Sequence, residues 1–197
     1  MRAITSKNHQ SVKTELWYAA CVVASALLFA ASALRGYRVY IARGQTMHLT
    51  STSFQDGSRI PAKYTCSGAN LSPQLSWSSP PAKTVSLALT VTDPDAPRGT
   101  WVHWVLYNLP AGTRALPEGL PALGQLPDGA RQGRNDFGDL GYGGPCPPPG
   151  SPHHYVFTLY ALNAKLNLQV GATRAQVEAA MQEHILASGR LVGMFQR

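Results

Sequence analysis

The 197-residue chain has only three cysteines, and only 14% of its residues are charged. It contains no internal repeat and no Lys/Arg stripe interleaved with aromatics, so nucleic acid is not an expected partner. No Ser or Cys sits in a nucleophile motif such as G-x-S-x-G, which leaves a hydrolase without its usual signature. Strand signals do not alternate with long helical ones, which argues against βαβ units and a parallel sheet. The formal net charge of +7 does not restore a nucleic-acid reading. Residues 1–43 carry six Lys/Arg against Glu15 alone, whereas the rest carries 11 against 9 acidic residues. The basic excess belongs to a tail flanking a hydrophobic run.

That run, Leu16 to Leu34, holds 19 residues without a charge. As a helix it would reach about 28 Å at about 1.5 Å per residue, just enough to cross a bilayer. Ala31-Ser32-Ala33 has the small-x-small look of a cleavage site, which favours a signal peptide. Arg35 and Arg38 bound the run on its far side, which favours an uncleaved anchor. Three Lys/Arg stand on each side, so the positive-inside rule does not orient it. Cys21 is poorly placed for a lipoprotein, since most of the apolar run follows it. A third reading starts translation at Met47 and leaves the domain in the cytoplasm. Residues 1–43 are expected to be a signal peptide or membrane anchor. Residues 46–197 then form one domain, large enough for its own core.

Within the domain, residues 47–54 alternate as a first strand. Thr84 to Thr92 alternates in Val, Leu and Thr and breaks at Asp93-Pro94. Val102 to Leu109 reads as a strand stopped by Pro110, and His154 to Leu162 as another, with Tyr155, Phe157, Leu159 and Ala161 on one face. A helix over about 173–188 is predicted from the capping-box pattern Thr173-Arg174-Ala175-Gln176, the shared face of Val177, Met181 and Ile185, and a closing Gly189. Arg190 to Arg197 would be a last short strand. Short strands separated by Gly/Pro clusters argue a mainly β, antiparallel two-sheet sandwich with a C-terminal helix. Residues 111–152 are proline-rich and aperiodic; such a stretch inside a compact domain is usually functional.

The residues suited to chemistry flank that stretch. Asp93-Pro94-Asp95-Ala96-Pro97 turns at a strand end. Trp101-Val102-His103-Trp104 follows, and alternation puts Trp101 and His103 on one strand face, Val102 and Trp104 on the other. Gly143-Gly144-Pro145-Cys146-Pro147-Pro148-Pro149-Gly150 then runs into His153-His154-Tyr155, where His153 and Tyr155 share a face. As a turn residue Asp93 needs no further role, and a histidine inside a strand is commonly a hydrogen-bonded core residue. In a pocket, Asp93 would accept from a histidine and fix its tautomer. The two cysteines of the domain, Cys66 and Cys146, are either one disulfide, as export would favour, or two free thiols.

In order and spacing, these segments resemble the phosphatidylethanolamine-binding protein family, in its bacterial branch called Raf kinase inhibitor-like. Phe54-Gln55-Asp56-Gly57, Asn70-Leu71-Ser72-Pro73 and Asn108-Leu109-Pro110 extend the likeness over about Thr46–Arg197. The resemblance implies a pocket of Asp93, His103, His153 and Tyr155 edged by Gly144 and Pro145, and brings the Cys66 loop near the proline-rich loop. Where members with the eukaryotic pattern often carry a tyrosine, three residues before Trp101, this chain has Arg98, so the resemblance does not carry phosphatidylethanolamine itself over as the ligand.

One carboxylate, two histidines, a phenol and exposed backbone N–H groups would suit a phosphate or carboxylate head group, with an apolar cleft beside them. The expected function is therefore a non-enzymatic small-ligand-binding protein for such an anion or a phospholipid head group, with no metal and no cofactor, modulating a protein partner. Two other readings compete. One is an inhibitor of a protease, inserting residues 118–135. The other is a hydrolase, using Asp93 and the histidines as a base or metal triad, or Cys146 as nucleophile. With its tail, such a domain is expected in the periplasm or anchored in a membrane.

Overall fold

The structure, a computed structural model, describes residues 45–197; the expected leader or anchor, residues 1–43, lies outside them. The alternating stretches become the three central strands. They are β5 (Ser86–Asp93), β6 (Trp101–Pro110) and β9 (His153–Leu162). Around them stand β1 (Gln45–Thr46), β2 (Leu49–Thr50), β3 (Ser58–Arg59), β4 (Leu75–Trp77), β7 (Ala115–Leu116), β8 (Arg131–Gln132), the helix α1 (Arg174–Met181) and β10 (Ile185–Phe195). The larger sheet runs β1-β10-β9-β5-β6-β8, with β3 also on β10; the smaller runs β2-β4-β7. Its long pairs are antiparallel, and only the two-residue β1 and β3 pair parallel with β10. The two-sheet sandwich with one C-terminal helix is thus the observed fold.

The larger sheet is covered on both faces, which is why β5 is buried along almost its whole length. Its inner face places Leu87, Leu89, Val91, Trp104, Leu106, Tyr155, Phe157 and Leu159 against Leu49, Leu75, Trp77 and Leu116 of the smaller sheet. Its outer face packs Ala88, Val102, Val105 and Tyr107 against Leu166, Ala172, Val177 and Met181. Burying each large apolar side chain stabilises the fold by about 1.5–3 kcal/mol.

Three expectations about extent are corrected, the first being the last strand, which spans Ile185–Phe195 and not 190–197. The first strand is not continuous over 47–54; only Leu49–Thr50 pairs there, though Met47 and Phe54 are buried. The helix begins as expected, with Thr173 and Gln176 capping each other reciprocally, but ends at Met181 instead of 188. His184 N–H closes the turn onto the Met181 carbonyl (2.9 Å), and β10 starts at Ile185 opposite Leu162. Gly189 is therefore no helix cap. It lies inside β10, where an added Cβ would stand 2.5 Å from the Met47 carbonyl oxygen. Pairing with β9 over ten residues outweighs a weak local helical preference.

Candidate functional site

The chain turns sharply after β5 because Pro94 follows Asp93, and the carboxylate serves both readings of that residue. Its Oδ1 accepts from the Asp95 backbone N–H (2.9 Å), an Asx-type turn. Its Oδ2 accepts from His153 Nδ1 (2.7 Å). Both partners are buried, Asp93 at 3% exposure and His153 at 8%. The next residue of β9, His154, faces outward and pairs with exposed Asp95 (2.7 Å). That contact, with the His154 backbone N–H bond foremost, holds the Asp95 carboxyl below its ordinary range. Period-2 alternation in β9 thus separates a buried Asp–His pair from an exposed one.

His103 reaches the same layer through an irregularity that alternation does not reveal. Val91 pairs with Trp104 and Thr92 with Val102, so His103 is the extra residue of a β-bulge. Val102 packs on the helix side, whereas Trp104 packs in the inner core. The predicted opposition of His103 and Trp104 is therefore corrected: the bulge turns both inward. His103 donates from Nδ1 to the Gly143 carbonyl (2.6 Å) and stands edge-to-face on Tyr155, ring centroids 5.1 Å apart. Burial pushes its pKa below the ordinary histidine value; the Gly143 bond and the Asp93 charge act in the other direction.

Tyr155 is fully buried, and its hydroxyl has no hydrogen-bond partner among the described residues. Burial, then the nearby Asp93 charge, raise its pKa, although the hydroxyl and carboxylate do not reach hydrogen-bond geometry. The buried indole N–H of Trp101 likewise lacks a partner among the described residues.

The glycine-rich loop forms the wall in a way the sequence reading did not anticipate. The Gly143 N–H donates to the His103 carbonyl (2.8 Å) and the Gly144 N–H to Asn70 Oδ1 (2.8 Å). The N–H groups of Gly143 and Gly144, expected to be exposed, are thus already occupied by partners within the protein. Close approach explains the glycine: a Cβ on Gly144 would lie 2.4 Å from Asn70 Oδ1 and 2.5 Å from the Tyr64 carbonyl oxygen. Pro145 is buried, and its carbonyl accepts from the Cys66 N–H (3.1 Å). Cys66 and Cys146 are bonded, with Cα atoms 5.4 Å apart. Bonded in this way, Cys146 has no thiol to act as a nucleophile.

Two residues of the site were missed. Phe137, 44% exposed, packs edge-on against both Trp101 and His103, each at 5.4 Å between centroids. Asp136 ties the same loop to β6 by a reciprocal pair with Val102, its Oδ2 accepting from the Val102 N–H (2.8 Å) and its own N–H donating to the Val102 carbonyl (2.9 Å). Both lie in the aperiodic stretch, whose length was its only signal. Arg98 is exposed in the turn before β6.

The sequence profile of the phosphatidylethanolamine-binding proteins matches residues 50–196, and the chain belongs to that family. It is 49% identical over 151 residues to the UPF0098 protein of Methanothermobacter thermautotrophicus, covering 77% of this chain and 99% of that one. It is 43% identical over 153 residues to Mycobacterium tuberculosis LppC, whose name proposes a lipoprotein, covering 77% and 73% of the two. Among solved structures, a phosphatidylethanolamine-binding protein homologue from Chlamydia trachomatis superposes with a TM-score of 0.70 at 41% identity, covering 77% of this chain and 98% of that one. Escherichia coli YbcL, described as a member of the mammalian family, superposes with a TM-score of 0.71 at 36% identity, covering 78% and 99%.

Proposed function

We propose that the domain is a non-enzymatic binding protein for a small phosphate-like anion, held by His103, His153 and Tyr155 with Asp93 as positioning residue. The observation that carries this reading is Tyr155, whose ring packs edge-on against His103 and whose buried hydroxyl has no hydrogen-bond partner among the described residues. A buried donor left unsatisfied costs about 1–3 kcal/mol, and an anion oxygen is the acceptor that would relieve it. Gly144 and Pro145 shape the wall, while exposed Phe137 and half-buried Trp101 offer apolar surface to the rest of the ligand.

A hydrolase is less well supported, because Cys146 is in a disulfide and the Asp93 carboxylate already bonds the His153 ring and the Asp95 amide. An inhibitor inserting residues 118–135 is also less well supported. That segment is exposed but fastened along its length: Leu120 N–H to Ser72 Oγ (2.8 Å), and Gln132 Nε2 to the Pro121 and Leu123 carbonyls (2.7 and 2.8 Å).

The hydrophobic run in residues 1–43 is proposed to carry the domain to or across a membrane, into the periplasm in a bacterial envelope. A disulfide in the domain fits an oxidising compartment, and the lipoprotein name of one relative points the same way. A reporter active only outside the cytoplasm, fused to residues 1–43, should be active. Calorimetry with inorganic phosphate tests the site. His103→Ala and His153→Ala should each weaken binding by about 1.5–3 kcal/mol, while Val102→Ala, on the helix side, should leave it unchanged. Unaltered affinity in both folded histidine variants would make the rings structural.

A further inference from the structure

Each ring of the site is fixed in one tautomer by a partner that can only accept. A backbone carbonyl lies 2.6 Å from His103 Nδ1 and a carboxylate 2.7 Å from His153 Nδ1, so Nδ1 carries the proton in both. A neutral ring held this way presents Nε2 as a lone pair, not as a donor. The two rings differ in what stands behind them. Behind His153 stands the Asp93 carboxylate, 2.7 Å from its Nδ1. His103 has neutral backbone partners, the Gly143 carbonyl foremost and Gly144 beside it, and is 2% exposed. The charged and titratable groups around it are Asp93 at the end of β5, Tyr155 on β9, and Asp136 on the loop after β8, whose carboxylate bonds the Val102 amide.

We propose that His103 is a specificity-determining residue that accepts a hydrogen bond from the ligand, so that the site selects phosphomonoesters, which can carry a P–O–H, over phosphodiesters, which cannot. The inference rests on the anion-site reading and names the class of ligand within it. In the complex, the monoester's hydroxyl donates to His103 Nε2, while an unprotonated oxygen accepts from the Tyr155 hydroxyl. A diester offers only acceptors to these groups. It sets an oxygen lone pair against the Nε2 lone pair unless a proton from solvent first charges His103, and burial opposes that charge. A phosphomonoester has its second pKa at about 6 and so retains that proton in mildly acid solution.

The test compares phenyl phosphate with methyl phenyl phosphate by calorimetry on the oxidised protein, with long-range proton–nitrogen NMR of the histidine rings. At about pH 6 the monoester should bind at least about tenfold more tightly. The diester should gain on it as the pH falls far enough to protonate His103, which exclusion by size alone would not produce. His103→Ala should weaken monoester binding and collapse the ratio, while Val102→Ala should leave the ratio intact. NMR should find His103 in the Nδ1–H form. Equal affinities at about pH 6, or an Nε2–H ring, would overturn this proposal and leave the anion site standing. Binding of neither ester nor of inorganic phosphate would overturn both.

Discussion

Replacing Tyr155 by Phe separates the two roles a buried phenol can have. The ring is fully buried and packs edge-on against His103, 5.1 Å between centroids, and Tyr155→Phe keeps that contact. What disappears is a hydroxyl with no partner among the described residues. A buried polar group left unpaired costs about 1–3 kcal/mol, so its removal should leave the free protein as stable as before or more stable by about 1 kcal/mol, after allowance for the small void. In the complex the same hydroxyl would donate to an anion, a bond worth about 1.5–3 kcal/mol. Phosphate affinity should then fall by about 10- to 150-fold. Urea denaturation at constant m reads the first effect and calorimetry with inorganic phosphate the second. The two should move in opposite directions. A variant destabilised by more than about 1 kcal/mol, with phosphate affinity unchanged, would show the hydroxyl to be structural and refute the reasoning.

Three further outcomes follow from the geometry. Because burial holds the His103 pKa below its unfolded value of about 6.5, its contribution to stability is complete above that pH and is lost as pH falls through the folded value. Urea titrations from about pH 7.5 down to 5 should show this loss, and His103→Asn should flatten the slope; an identical slope would exclude His103 as its source. Replacing both Cys66 and Cys146 by Ala removes a cross-link of sequence separation 80 and should destabilise by up to about 4.5 kcal/mol on the loop-entropy account; a cost below about 1 kcal/mol would refute that account here. Gly144→Ala sets a methyl 2.5 Å from a backbone carbonyl oxygen and should cost about 1–3 kcal/mol in thermal or urea unfolding; a neutral result would mean the loop can shift freely.

The amino-acid sequence by itself determined the elements that local periodicity encodes. Alternation marked β5, β6 and β9 to within two residues at either end, the reciprocal Thr173–Gln176 cap placed the start of α1, and the turn formed by Asp93 and Pro94 followed from their own chemistry. The ordered motifs also indicated the family and picked out the residues of the proposed site. Tertiary structure decided the rest, because it depends on partners distant in the chain. The bulge that turns His103 inward is a matter of register against β5. The end of α1 is set by β10 pairing along β9, not by the helix's own residues. The tautomers of the two rings are set by an acceptor 40 residues from His103 and another 60 residues from His153. The amide groups of Gly143 and Gly144 are occupied by His103 and Asn70, and Phe137 reaches the site from a stretch with no period to read. A period of 2 or 3.6 says which way a side chain faces along a regular element; only packing across the sandwich fixes which atom it meets there.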